Sequence, residues 1–251
     1  MVNFKKKIEF ITRYKNILDV IEKPFPASNN IPNWYKNMPA YVNDKKEVDN
    51  FGDPTATIKK CMPFLDAMTA GYHIPLPCDV WVTNNDGQID FKWSIDDLEI
   101  VSIHKQDQYN LYPVPEGYIP VAFKWLNPWL VVTPKGHSCI FKHPTHYDDL
   151  PFQCLTGVVD TDKHPYEVNF VFFLKKGFEG LIEKGTPIIQ VIPFKRYDYS
   201  AIYHSNYSKY DIIWRKAKTV FFDRYKRFFR SIKKYEMQEK SKCPFHNFLG
   251  K

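Results

Sequence analysis

Between Asn127 and Phe194 short apolar runs alternate with turn residues. Val168–Leu174 and Pro187–Ile192 have strand length. They are set off by TPKG at Thr133–Gly136, TGVVDTD at Thr156–Asp162 and EKGTP at Glu183–Pro187. Apolar runs bounded by Gly and Pro predict strands joined by tight turns. The two runs are expected in one sheet, joined through Gly177–Gly185. Upstream, Lys7–Thr12 reads as an edge strand. Pro75–Thr83 and Gln88–Trp93 flank the hairpin signal NNDG at Asn84–Gly87. Leu98–His104, Val121–Trp125, Trp129–Val132 and Ser138–Phe141 are further strands. About ten short strands predict a mainly β fold, an antiparallel barrel or sandwich. The aromatic content of 17% suits half-buried pleated surfaces.

Two segments break the pattern. Lys23–Pro39 holds Pro24, Pro26, Pro32 and Pro39 and reads as an extended arm, with Phe25, Ile31, Trp34 and Tyr35 as anchors. Near Asn206 the period becomes helical: Ile213, Ala217, Val220, Phe221, Phe228, Ile232 and Tyr235 fall on one stripe. A long C-terminal amphipathic helix is expected over about 208–237. The expected parts are an N-terminal strand and arm at 1–57, a β core at 58–200, and a basic helix with its tail at 201–251.

Charge is concentrated in the last part. Ser205–Lys242 carries twelve Lys/Arg against four Asp/Glu, more than the whole chain's net charge of +7. The basic balance thus describes one element, not a globally nucleic-acid-binding surface. That helix could dock its aromatic face on the core, contact nucleic acid or a membrane surface, or meet another subunit. Five cysteines, none in a CxxC, and no signal-peptide-like apolar run suggest free thiols in a reducing compartment and no secretion. No stretch reaches the roughly 18 apolar residues of a membrane span.

Candidate chemistry sits at three places. Asp160 and Asp162 lie in the central turn, where carboxylates either order backbone amides or activate a water. His146-Tyr147-Asp148 is an H-x-D; His204 follows His146 by 58 residues and Arg215 lies 11 beyond. That spacing resembles the iron(II)/2-oxoglutarate oxygenases. The resemblance implies His146, Asp148 and His204 as metal ligands and Arg215 as the partner of the 2-oxoglutarate carboxylate. A plain polar loop is the alternative. His143-x-x-His146 could add a zinc pair or be a surface loop.

Two wider resemblances follow from motifs in order. Ala70–His73 (AGYH), Val131–Gly136, Gly157–Glu167 (GVVDTDKHPYE) and Lys184–Gln190 (KGTPIIQ) resemble the dUTPase-like β-clip barrel. The likeness implies that fold, with Asp160 as the water-activating base of a degenerate nucleotide-binding barrel. It departs where Phe141-Lys142-His143-Pro144 replaces a phosphate-binding turn and His73 replaces an aspartate. IPNWY (Ile31–Tyr35), Cys61–Pro63, TPKG, Leu155–Asp162, VNFVF (Val168–Phe172) and Lys184–Phe194 are similar to an uncharacterised family of tailed-phage and bacterial proteins. That resemblance implies a viral protein of the host cytoplasm or virion. The function expected first is non-catalytic binding or assembly with other protein subunits through the arm and the C-terminal helix, with no cofactor.

Overall fold

In the computed structural model, residues 7–42, 47, 55–85, 88–205 and 211 are described. The chain divides into two compact units, Lys6–Arg196 and Met1–Lys5 with Tyr197–Lys251. In the second unit the described residues 197–205 form no regular element, and the rings of Tyr197 and Tyr199 meet edge to face at 5.9 Å.

Among the described residues, the first unit holds fourteen strands in four antiparallel sheets. The five-stranded sheet has the order β11 (Gly157–Val159), β9 (His137–Lys142), β14 (Pro187–Lys195), β3 (Tyr72–Pro75), β2 (Phe25–Pro26). The four-stranded sheet runs β10 (Phe152–Cys154), β12 (Phe170–Lys175), β7 (Tyr118–Trp125), β6 (Val101–Ile103). A three-stranded sheet orders β13 (Gly180–Ile182), β4 (Val80–Asn85) and β5 (Gln88–Trp93), and β1 (Glu9–Ile11) pairs with β8 (Leu130–Val132). Two α-helices occur among the described residues: α1 (Asn33–Asn37) and α2 (Met62–Thr69).

The architecture corrects the expected barrel. Among the described residues every strand order is open, so no sheet closes on itself. The two longest C-terminal strands also part company: β12 lies in the four-stranded sheet and β14 in the five-stranded one. The connection between them is a strand too, β13, which pairs with β4. No long C-terminal helix is present among the described residues; apart from 211, the residues expected to form it lie outside them. The segment read as an irregular arm contains β2 and α1, and Met62–Thr69 is a helix that the apolar pattern did not announce.

One core joins the sheets. Val191 lies opposite Phe141 and Tyr72, and Ile189 opposite Ile74. From the facing sheet, Trp125 stacks on Phe172 at 4.2 Å, with Phe152 edge-on to both. Each such ring, fully buried, contributes about 1.5–3 kcal/mol. Gly71, just before β3, shows how closely neighbouring strands of this sheet approach: at φ +71°, a Cβ there would sit 2.0 Å from the Val191 carbonyl oxygen of β14.

Strand alternation sends the next residues to the other face of the five-stranded sheet. Phe25, His73, Gln190 and Lys142 stand in one cross-strand row. His73 and Gln190 are fully buried there. The Gln190 amide nitrogen donates to the carbonyls of Ala67 on α2 and of Ala70 at its C-cap, at 2.9 and 2.8 Å, so this row is roofed by the helix.

Candidate functional site

The Asp160–Asp162 turn follows β11 and stands beside the TPKG turn that opens β9. Register explains its chemistry. Lys195 pairs with His137, so Arg196 falls beside Gly136 and donates its backbone N–H to the Gly136 carbonyl at 2.9 Å. Its guanidinium then grips Asp162 through two hydrogen bonds, 2.9 and 2.6 Å. The Gly136 N–H donates to the same carboxylate at 2.7 Å. The Arg196 bond, reinforced by the Gly136 amide, holds Asp162 down to about 2 against partial desolvation. Asp160 is half exposed; it accepts from Ser138 Oγ at 2.7 Å and lies 3.1 Å from Arg196 Nη1. Thr133 and Thr161 join hydroxyls at 2.6 Å beneath.

This arrangement is a staple. The Arg196 guanidinium, which could meet a phosphate, is bound to both carboxylates and to the Ser138 hydroxyl. Asp160 is held among a hydroxyl and a guanidinium, as a turn carboxylate is. Arg196 was missed in the sequence because its role comes from strand register; its only local signal is a basic residue ending an apolar run.

The His143–Asp149 loop is anchored rather than open. His146 sits at φ 63° and stacks its ring on Phe64 at 3.8 Å. Trp34 Nε1 donates to the His146 carbonyl at 3.0 Å, and the Tyr147 hydroxyl donates to the Asn30 carbonyl. The Cys154 N–H donates to His143 Nδ1 at 3.3 Å, so His143 Nε2 carries the proton toward the Tyr147 carbonyl at 3.2 Å. Asp148 is exposed, and Lys175 Nζ donates to its carbonyl at 2.7 Å. His204 belongs to the other compact unit, and Arg215 lies outside the described residues. Among the described residues no three His, Cys, Asp or Glu side chains are grouped so as to hold a metal. His143 has both ring nitrogens in internal bonds.

Behind this loop lies His73, absent from the candidate set. Phe25 and Tyr147 meet its ring edge-on at 5.8 and 5.6 Å. Neither ring nitrogen has a hydrogen-bond partner among the described residues. Burial, with help from nearby Lys142, pushes its pKa down to about 4. Burial also lowers His143, His146 and Lys142. The layer beneath the arm thus holds three histidines in their neutral form near neutral pH.

Two surface features remain. On the three-stranded sheet Trp81 and Leu181 are directly paired across β4 and β13, at 41% and 43% exposure. At the β6 edge the 104–117 loop folds over the sheet and leaves a pocket of about 260 Å³ lined by Ile103, His104, Tyr109, Asn110 and Tyr112 among others. Leu111 at the loop tip is 95% exposed. No helix among the described residues is long and apolar enough to cross a membrane. No protein-family model matches the chain, and no curated protein matches it.

Proposed function

We propose that the chain is a non-catalytic binding and assembly protein of phage type that docks on other protein subunits through exposed apolar surface. The observation that carries this is the outward-facing Trp81–Leu181 pair. Two large apolar side chains placed directly opposite on a short edge ladder form a contact core that water penalises. The polar groups support the same reading from the other side. Asp160, Asp162, His143 and His146 are engaged in contacts that fold the chain rather than left pointing into a cleft. The motif likeness to tailed-phage proteins favours an assembly role. The arm is not the docking element in this reading, because Trp34 and Asn30 fasten it to its own unit.

Sedimentation velocity of the full chain over a wide concentration range tests this. Concentration-dependent association is expected, and Trp81→Asp should abolish it without lowering Tm, since the side chain is partly exposed. A wild type that stays monomeric throughout, or metal- or nucleotide-dependent turnover by the purified chain, would overturn the proposal.

A further inference from the structure

We propose that the pocket between the 104–117 loop and the β6–β7 edge binds a neutral saccharide, one sugar ring at a time. The pocket is built by a loop with fixed joints. The His104 N–H donates to the Ala122 carbonyl at 2.9 Å, setting the departure from β6. Two successive turns follow, with the Tyr109 N–H on the Gln106 carbonyl and the Tyr112 N–H on the Tyr109 carbonyl, both at 3.0 Å.

These turns lay the tyrosines on the outer face of the four-stranded sheet, where Phe173 is paired with Ala122. Tyr112 stacks on Phe173 at 5.5 Å; Tyr109 meets both rings edge-on; His104 meets Tyr109 edge-on at 4.6 Å. The result is a braced aromatic wall. Burial raises the Tyr109 pKa, keeping its phenol a hydrogen-bond donor.

The lining selects the ligand class. None of the described residues that line the pocket is Asp, Glu, Lys or Arg. A phosphate, carboxylate or ammonium ligand would leave its charge unpaired there, which is costly. What the pocket offers is aromatic surface beside the amides of Gln106 and Asn110 and the His104 imidazole. A sugar ring has the matching two-sided chemistry: an apolar C–H face for the tyrosines and hydroxyl edges that need both donors and acceptors, which amides supply. The volume of about 260 Å³ falls just below the roughly 300–1,000 Å³ of pockets for drug-sized ligands, which suits one ring. The site is separate from the Trp81–Leu181 face, so its failure would leave the docking proposal standing.

The test is titration calorimetry, with saturation-transfer NMR, on the full chain. The probes are methyl glycosides of glucose, galactose, mannose and N-acetylglucosamine, with choline and inorganic phosphate as charged controls. At least one neutral glycoside should bind saturably, with Kd on the order of 1 mM for a single ring. Gln106→Ala with Asn110→Ala should weaken it tenfold or more, with circular dichroism and Tm unchanged, since both side chains are exposed. The proposal is overturned if no glycoside binds, if only choline or phosphate binds, or if the double variant binds as the wild type does.

Discussion

Acid should loosen this protein through His73 before it reaches the lowered carboxyls of Asp162 and Glu167. The folded state holds the imidazole neutral, with a pKa of about 4 against 6.5 for the free side chain. A lowered folded-state pKa means that the unfolded chain binds more protons between those values, so stability falls as pH falls from 6.5 toward 4. Above 6.5 the contribution is fully present. The full shift of roughly 2.5 units would be worth about 3.4 kcal/mol, at about 1.36 kcal/mol per unit; pH 4.5 lies roughly two units below 6.5, so about 2.5 kcal/mol of it is lost there, with little screening because the ring is fully buried. Urea unfolding followed by tryptophan fluorescence at pH 7 and pH 4.5 measures the loss directly. His73→Phe keeps the edge-on contacts to Phe25 and Tyr147 and removes the titration. Its own overpacking cost, about 1–3 kcal/mol, applies equally at both pH values and cancels in the difference. The lowered His143 and His146 titrate in both proteins, so the wild type should lose about 2.5 kcal/mol more than the variant between the two conditions. Equal losses would refute the reasoning and place a proton or a partner on His73 in the folded state.

Three further substitutions follow from the geometry. Gln190→Leu removes the amide bridging the Thr145 loop to α2 and leaves the Ala67 and Ala70 carbonyls without that donor; chemical denaturation should show a loss of about 2–4 kcal/mol. Gly71→Ala puts a methyl against the Val191 carbonyl at positive φ; a cost above about 3 kcal/mol is expected, seen as poor soluble yield and lowered Tm. Asp160→Asn keeps an acceptor for Ser138, so stability should fall by no more than about 1 kcal/mol, and thermal shifts with nucleoside triphosphates should match the wild type.

Strand positions were largely legible, because apolar runs between Gly and Pro carry their own length and boundaries. Val121–Trp125, Ser138–Phe141 and Pro187–Ile192 fall within β7, β9 and β14. Which strand pairs with which was not legible. Nothing local in FVFFLK or PIIQVI says that the first joins β10 and β7 while the second joins β9 and β3. Met62–Thr69 was missed because eight residues cover barely two turns, too few for a period to show. GVVDTD looked like a turn throughout, yet its first three residues pair with Phe141, Ile140 and Cys139 as β11. At the candidate sites, the turn role of Asp162 was readable from type and position. Its partner Arg196 was not, since 34 residues separate them and register alone joins them. His73 and Gln190 stayed hidden because both faces of their sheet are buried, which removes the polar-outside alternation that would mark them.

On the proposed reading the chain works by contact and its polar clusters only support the fold. Hydrogen–deuterium exchange on the full chain, compared between dilute samples and concentrations at which it associates, tests that most directly. Added protection is expected in Val80–Asn85 and Gly180–Ile182, around Trp81 and Leu181, with the Gly157–Asp162 turn unchanged. Protection centred on that turn or on the His143–Asp149 loop, with β4 and β13 unaffected, would contradict it.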